Sequence, residues 1–175
     1  MAIRPPRSRQ INQKPGSISP VRVRPATDAD APRMIELVNS AYSVETFLEG
    51  TRTDPERMDA MMHKGIILVA EDDAGSLLAS VYLEVRGKRG YMGMLAVYPA
   101  RQGAGLASLM VRAAEDRLRS HGCEAVDISV LSLRQELLPI YRRFGFVETG
   151  TEEFSFPRTF REPIECHCIL MSKPL

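Results

Sequence analysis

The amino-acid sequence predicts a single α/β domain, which we place at residues 21–175. The chain has 175 residues and a hydrophobic content of 44%, enough for one domain with one substantial core. Its apolar residues follow a helical spacing in some segments, and in others they alternate or form short runs bounded by turn residues. The predicted order is two helices, three strands, a helix, a strand, a helix and two strands.

Residues 1–20 have a composition unlike that of the rest of the chain. They carry four basic residues and no acidic one, together with four prolines and a glycine. So few apolar side chains cannot offset the conformational entropy lost on ordering the segment. We therefore predict a disordered, basic, proline-rich tail. A nucleic-acid-binding arm is the less favoured alternative, because the tail has no aromatic residue and no dense basic block.

The cysteines and the apolar runs bear on where the protein works. The three cysteines, Cys123, Cys166 and Cys168, cannot all pair within one chain, which favours a reducing environment. No apolar run approaches the length of a membrane span, and no secretory-signal core follows the basic N-terminal residues. We predict a cytoplasmic protein with no membrane partner and no nucleic-acid partner.

Capping residues mark the two helices predicted at the start of the domain. Thr27, followed by Asp28 and Asp30, is typical of a helix N-terminus. The apolar residues after it share one helical face: Met34, Leu37, Val38 and Ala41. A second, short helix is predicted to begin at residues 54–56 and to end near Gly65.

Three strands should follow, at residues 66–70, 77–85 and 91–97, joined by turns at 72–75 and 86–90. Strict alternation divides the middle strand into two faces. One face would carry Leu77, Ala79, Val81, Leu83 and Val85. The other would carry Leu78, Ser80, Tyr82 and Glu84, and it is amphipathic enough to line a cleft.

The second half of the domain begins with a long amphipathic helix. Its apolar positions run from Leu106 to Leu118, and it should stop at His121 and Gly122. A strand at 125–130, a helix at 133–144, an extended segment at 146–156 and a last strand at 165–171 complete the prediction.

The loop between the third strand and the long helix is rich in small residues. It consists of Gln102, Gly103, Ala104, Gly105, Leu106 and Ala107. A strand-to-helix turn of this kind presents unpaired amide N–H groups at the positive end of a helix dipole, which suits a phosphate group. The alternative is a helix that merely begins with glycines.

Two other kinds of phosphate loop fit these residues less well. A Walker A loop needs a lysine followed by serine or threonine, where this chain has Leu106 and Ala107. A dinucleotide fingerprint would need glycine or alanine at Ser108, and this turn does not open the first βαβ unit of the chain.

Two motifs resemble those of the GNAT superfamily of N-acetyltransferases. The loop from Gln102 to Ala107 resembles the Q/R-x-x-G-x-G/A signature that grips the coenzyme A pyrophosphate, and residues 94–99 resemble the strand before it. Downstream, residues 138–146 (LPIYRRFGF) are similar to the second hallmark of the family, a helix with a tyrosine followed by an aromatic-Gly-Phe turn. The resemblance covers residues 21–175 and implies a mixed, strongly twisted sheet with helices on both faces.

The resemblance also assigns roles to individual residues. The backbone of Leu95, Ala96 and Val97 would pair with the pantetheine arm as a further strand does. Arg134 stands where many relatives carry an asparagine that contacts the same arm. Tyr141 would be the general acid that protonates the departing thiolate, although its ring could instead simply pack against the core. A homodimer formed through the outer strands is a further expectation from the resemblance.

The predicted function is acetyl-CoA-dependent N-acetylation by direct attack of an amine on the thioester in a ternary complex, without a metal. The acceptor is left open among small amines, amino acids, antibiotics and protein lysines. The alternative is a catalytically silent module that binds acyl-CoA and reports it to a partner. Such a module would keep the phosphate loop but would not need Tyr141.

Amine attack on a thioester also needs a base to take the amine proton. Glu84, which shares a strand face with Tyr82, is the candidate base, and Glu45 is a second one. Arg52 and Arg57 could bind a carboxylate on the acceptor. Each of these four charged residues could equally be a solvated surface residue.

The segment Cys166-His167-Cys168 is the one sequence feature that suggests a metal site. In a strand, His167 would point away from both cysteines, and the sequence offers no second cluster of ligands. We therefore predict no metal. An acyl-cysteine intermediate is a further alternative, but small buried core cysteines are more common.

Overall fold

The computed structural model describes residues 20–175, which form one seven-stranded sheet with four α-helices. The spatial order of the strands is β1-β2-β3-β4-β5-β7-β6; β4 and β5 run parallel, and every other neighbouring pair is antiparallel. The strands are β1 Arg22–Pro25, β2 Ile66–Glu71, β3 Leu77–Arg86, β4 Arg89–Val97, β5 Ala125–Leu131, β6 Val147–Glu153 and β7 His167–Pro174. The predicted α/β class with a mixed sheet is confirmed. The tail predicted at residues 1–20 lies outside the described residues, apart from Pro20.

Helices cover both faces of the sheet, as predicted. The four helices are α1 Ala31–Ala41, α2 Pro55–Lys64, α3 Leu106–Ser120 and α4 Leu138–Arg143. Side chains of α1 and α2 bury one face of the sheet, with Met34, Leu37 and Met58 in that core. Side chains of α3 and α4 bury the other face, with Met110 and Leu138 in a separate core.

The capping residues identified in the sequence lie at the starts of the first two helical segments: Thr27 caps a 3-10 turn, Asp28–Asp30, that leads into α1, and Asp54 caps α2. Thr27 and Asp30 form a reciprocal capping box, in which the Thr27 amide donates to Asp30 Oδ2 at 2.9 Å. Asp54 accepts a hydrogen bond from the Arg57 amide at 2.8 Å, and α2 ends before Gly65. These local signals were sufficient because a cap is satisfied within one turn of its own helix.

The first strand, β1, was missed by the sequence analysis, which began the domain with a helix. Only four residues long, β1 pairs with β2 at the edge of the sheet. It is fixed by Arg24, whose guanidinium bonds both Asp30 (Nη1 to Oδ2, 2.7 Å) and Glu71 (Nη2 to Oε2, 2.7 Å). These ion pairs hold the pKa values of both carboxyl groups below their usual range, chiefly through the Arg24 hydrogen bonds.

The strict alternation predicted for β3 is wrong at its start. Leu77 packs in the core beneath α1, whereas Leu78 and Ala79 both pack in the core beneath α3. The reason is a bulge: Ala70 of β2 pairs with Ala79, but Glu71 pairs with Leu77, so Leu78 has no pairing partner in β2.

The fourth helix is shorter than predicted. Residues Gln135–Leu137 form a 3-10 turn, and the α-helix proper starts at Leu138. Pro139 explains this start, because a proline without an amide hydrogen fits the first turn of a helix and not its middle. None of the helices between residues 20 and 175 is long and apolar enough to cross a membrane.

Candidate functional site

A gap opens in the middle of the sheet between β4 and β5. The two strands pair only at Arg89–Tyr91 of β4 and residues 125–127 of β5. Beyond this point β4 pairs only with β3, and β5 pairs only with β7. The facing edges of β4 and β5 therefore carry backbone groups that a bound extended chain could pair with.

A bulge in β4 lies alongside this gap. Ser80 pairs with Ala96 and Tyr82 pairs with Gly93, so Met94 and Leu95 together oppose Val81 alone. Met94 adopts a φ of 45°. Among the described residues it is the one non-glycine residue with a positive φ. The bulge bends the strand at the point where Leu95, Ala96 and Val97 begin. The Leu95 carbonyl accepts a hydrogen bond from the Tyr42 hydroxyl at 3.2 Å.

The loop from Gln102 to Ala107 follows β4 and ends in the first turn of α3. Gly103 and Gly105 adopt φ values of 79° and 81°, and a Cβ at either position would meet only open space. Glycine is thus required there by backbone conformation and not by crowding. The first intrahelical bond runs from the Leu109 amide to the Gly105 carbonyl at 3.0 Å.

That bonding pattern leaves the amides at the start of α3 without carbonyls one turn back. The amides of Leu106, Ala107 and Ser108 therefore point out of the helix N-terminus, where the helix dipole is positive. The Leu106 side chain is buried and anchors the helix, while residues 101–105 are exposed. This geometry fits a phosphate or pyrophosphate group.

Tyr141 lies on α4 with its ring packed edge-on against two phenylalanines. The ring centroids lie 6.3 Å from Phe144 and 5.8 Å from Phe146. Burial raises the pKa of the Tyr141 hydroxyl, and the nearby Tyr42 and Tyr91 raise it further. The phenol is therefore protonated at neutral pH, which is the form that a proton donor needs.

Glu84 lies on β3 and contacts three polar side chains, those of Lys64, Tyr82 and Arg86. Its Oε1 accepts from the Tyr82 hydroxyl at 2.8 Å and pairs with Lys64 at 3.0 Å, while its Oε2 pairs with Arg86 Nη2 at 2.7 Å. Burial alone would raise the pKa of Glu84, but the hydrogen bonds from Lys64, Arg86 and Tyr82 outweigh it and lower the pKa. Glu84 is therefore an ionised carboxylate within a cationic surround.

A cavity of about 560 Å³ lies beside these residues. Gly93 and Met94 of β4 form part of its wall, so it adjoins the bulge. Its basic lining residues are Arg52, Arg57, Lys64, Arg86 and Arg158, and its one acidic lining residue is Glu84. Its apolar wall includes Met61, Tyr82, Tyr91, Phe156 and Pro157.

Glu45 is buried outside this cavity, and its carboxylate contacts three arginines. Its Oε1 bonds Arg134 Nη1 at 3.1 Å, and its Oε2 lies 3.2 Å from Arg158 Nη1 and 3.6 Å from Arg52 Nη1. Arg134 also bonds Glu136 through its Nε at 2.5 Å. Arg134, which the family resemblance assigns to the pantetheine arm, is thus bonded to two carboxylates next to the gap.

Sequence reasoning missed Tyr42, Tyr91 and Arg158. Each lies far along the chain from the residues it meets, and none belongs to a recognisable motif. His63 is exposed on α2, where its Nδ1 contacts the Asp59 carbonyl at 2.9 Å.

The cysteine-rich segment lies on β7 and the loop before it. Cys168 is buried in a small core with Leu48 and Leu131, and burial raises the pKa of its thiol. The Ser132 hydroxyl donates a hydrogen bond to Cys166 Sγ at 3.8 Å, and His167 is exposed. Between residues 20 and 175, no three His, Cys, Asp or Glu side chains come together as a metal site would require.

Comparison with known proteins gives one family and a consistent set of folds. The sequence pattern of the family described as acetyltransferase (GNAT) family matches residues 31–146. A mycothiol acetyltransferase from Propionibacterium freudenreichii subsp. shermanii is 30% identical over 90 residues, which cover 49% of this chain and 29% of that protein. The chain therefore spans less than a third of the curated relative that it matches.

Solved structures agree over nearly the whole described chain. The ribosomal-protein-S18-alanine N-acetyltransferase from Escherichia coli has a TM-score of 0.70 at 17% identity, covering 88% of this chain and 93% of that one. A phosphinothricin acetyltransferase from Sinorhizobium meliloti, solved in complex with AcCoA, has a TM-score of 0.70 at 16% identity, covering 89% and 88%. At such identities the likeness concerns the fold.

Proposed function

The chain belongs to the acetyltransferase (GNAT) family, and from this premise we propose that it transfers an acetyl group from acetyl-CoA to the nitrogen of an amine. The observation that carries the proposal is the pairing of two features in one place. The sheet opens between β4 and β5, and the chain that leaves β4 at Val97 reaches the unpaired amides of the α3 N-terminus after one short connection. One ligand that combines a pyrophosphate with an extended amide-bearing arm would use both.

We assign the pyrophosphate of acetyl-CoA to the amides of Gly103, Gly105 and the first turn of α3. The pantetheine arm would pair with the backbone of Leu95, Ala96 and Val97 at the open edge of β4. Arg134, which lies beside the same gap, is the side chain we propose to contact the arm. Its ties to Glu45 and Glu136 hold the guanidinium in place.

The chemistry we propose is a direct attack of the amine on the thioester carbonyl. Glu84, directly or through a water molecule, takes the proton that the amine gives up as the C–N bond forms. When the C–S bond breaks, the Tyr141 hydroxyl donates its proton to the departing thiolate. The products are an N-acetylated acceptor and free CoA, and the bound geometry supplies much of the rate by holding the amine near the carbonyl.

The experiment that tests this function is thiol release from acetyl-CoA across amines, amino acids and peptides, with mass spectrometry of the products. We expect one acetyl group on the acceptor for each thiol released. Tight CoA binding without thiol release for any acceptor would instead identify a silent acyl-CoA-binding module.

Two further parts of the proposal concern the setting of the protein. The described thiols Cys123, Cys166 and Cys168 are unpaired, which supports a reducing compartment such as the cytoplasm. Every residue of the edge strand β6 is exposed, which supports assembly of a homodimer through the outer strands. Sedimentation analysis of the purified protein would test the homodimer.

A further inference from the structure

The charges around Glu45 do not balance. Three guanidinium groups, those of Arg52, Arg134 and Arg158, surround this carboxylate, and Glu136 partners Arg134 alone. The two carboxylates leave one positive charge in excess. The exposed fractions of the three arginine side chains are only 14%, 14% and 7%, so water does little to screen that charge.

The surplus can be traced to Arg52. All three nitrogens of the Arg158 guanidinium have acceptors, namely Glu45 and the carbonyls of Glu49 and Gly50. Arg52, in contrast, has only the 3.6 Å contact with Glu45, and its guanidinium donates no hydrogen bond to any of residues 20–175. Burial lowers the pKa of Arg158, and repulsion from Arg52 adds to this effect.

Arg52 is nevertheless held firmly in place. Its guanidinium carbon lies 4.7 Å from the centre of the Tyr42 ring and 5.5 Å from the centre of the Phe156 ring. It also lines the cavity of about 560 Å³ that adjoins the β4 bulge. A largely buried guanidinium that donates no hydrogen bond to the described residues and lies against two aromatic rings can accept a planar anion in bidentate fashion.

Building on the proposed N-acetyltransferase function, we propose that Arg52 binds the carboxylate of the acceptor and that the acceptor is a free amino acid with an apolar side chain. The carboxylate completes the unsatisfied guanidinium and neutralises the excess charge. Met61, Phe156 and Pro157 give the same cavity an apolar wall for the side chain. We place the amine of the acceptor in the part of the cavity lined by Met94. This part lies next to the gap to which we assign the pantetheine arm and its thioester.

The other cations of the cavity are already engaged and do not substitute for Arg52. Lys64 and Arg86 pair with Glu84, and Arg57 lies 3.4 Å from Asp54 and donates to the Pro157 carbonyl at 3.0 Å. A neutral amine of the same shape would fill the apolar part of the cavity but would leave Arg52 unsatisfied. Discrimination between acid and amine should therefore depend on this one side chain.

The test compares acceptors that differ only in the carboxylate. L-phenylalanine and L-methionine are assayed beside 2-phenylethylamine and 3-(methylthio)propylamine, with acetyl-CoA at saturation. For wild type we expect kcat/KM to favour each amino acid over its decarboxylated counterpart by at least about tenfold. In Arg52→Met we expect kcat/KM for the amino acids to fall about 10–100-fold, mainly through KM, as for loss of a charge-assisted hydrogen-bonded pair. The amines should be little affected.

Two further variants serve as controls for this comparison. Arg52→Lys keeps the charge but not the planar fork, so its loss should be intermediate. Arg119→Met removes the same charge at the far end of α3, where Arg119 pairs with Asp116, and should leave all four acceptors unchanged. Taking the ratio of variant to wild type for each acceptor cancels the different basicities of the amines.

A binding measurement that needs no turnover separates this inference from the proposed function. Calorimetry of N-acetyl-L-phenylalanine with the CoA-loaded protein should show binding that Arg52→Met abolishes. If that binding is present but no acceptor releases thiol, the carboxylate site stands and the N-acetyltransferase function fails. If thiol is released equally with acids and amines, or if Arg52→Met weakens both alike, the carboxylate site is overturned and the function stands. Absence of both the binding and the carboxylate preference also overturns the site.

Discussion

Three tyrosines, Tyr42, Tyr91 and Tyr141, lie close together beside the gap between β4 and β5. Burial raises the pKa of each hydroxyl, and Tyr42 raises those of Tyr91 and Tyr141 further. The Tyr42 hydroxyl is engaged with the Leu95 carbonyl. Tyr141 has no side-chain hydrogen bond to the described residues, so its proton is free for a leaving group.

We expect Tyr141→Phe to reduce kcat by about 10²–10⁴-fold, the range for loss of a general acid–base group. The ring contacts with Phe144 and Phe146 are kept, so the melting temperature and the CoA affinity should change little. Steady-state kinetics, calorimetry and thermal melting check these three quantities. Tyr98→Phe removes a hydroxyl outside the proposed site and serves as the matched control. Full turnover in Tyr141→Phe would reduce Tyr141 to a packing residue.

Glu84→Gln should lower kcat/KM by roughly 10²-fold or more at neutral pH, because the amide cannot take the amine proton. The substitution keeps the shape of the side chain but removes the charge that pairs with Lys64 and Arg86. Glu124→Gln is the matched control, since it removes an exposed ion pair with Lys88 outside the cavity. Unaltered kinetics in Glu84→Gln would show that the proton leaves by another route.

The loop before α3 is the element to which we assign binding of the acetyl donor. Gly105→Asp should weaken CoA binding by at least about tenfold, because a carboxylate at the helix N-terminus repels the pyrophosphate. Gly122→Asp places the same residue at the same φ, 80° against 81°, just past the other end of α3, also in open space. Both variants carry about 1 kcal/mol of left-handed strain, so that cost cancels in the comparison. Equal CoA affinity of the two variants by calorimetry would remove the loop from the donor site.

Local signals in the sequence were enough for most elements and failed where partners are distant. The caps at Thr27 and Asp54 act within one helical turn, so their residues alone specify them. The strand β1 was not recognised because its alternation spans only four residues, and its stability depends on Asp30 and Glu71 beyond it. The bulge at Leu78 shifts the register relative to β2, and a single strand carries no mark of that shift.

At the scale of the whole molecule, the sequence was enough to propose a donor site but not to assemble the proposed acceptor site. The loop to which we assign the donor is one contiguous motif, so its residues alone predict its backbone conformation. Around Glu45, however, Arg134 and Arg158 are 89 and 113 residues away along the chain. These residues meet because the segments that follow α1, β5 and β6 come together, and no periodicity in the sequence predicts that contact. The sequence named Arg52 and Arg57 as candidates without the cavity that makes Arg52 distinctive.

Two truncations test where the folded domain begins. Removing residues 1–19 should leave the melting temperature and CoA affinity unchanged, since that segment has no periodic apolar face. Removing residues 1–25 deletes β1 and takes Arg24 away from the buried carboxylates of Asp30 and Glu71. Breaking a buried ion pair costs about 3–5 kcal/mol, which lowers the melting temperature of a domain this size by roughly 10 °C. Arg24→Met in the full chain should reproduce much of this loss without shortening the sheet. Equal melting temperatures for the two truncations would show that β1 and its ion pairs contribute little, and a large loss on removing residues 1–19 would place the start of the domain earlier in the chain.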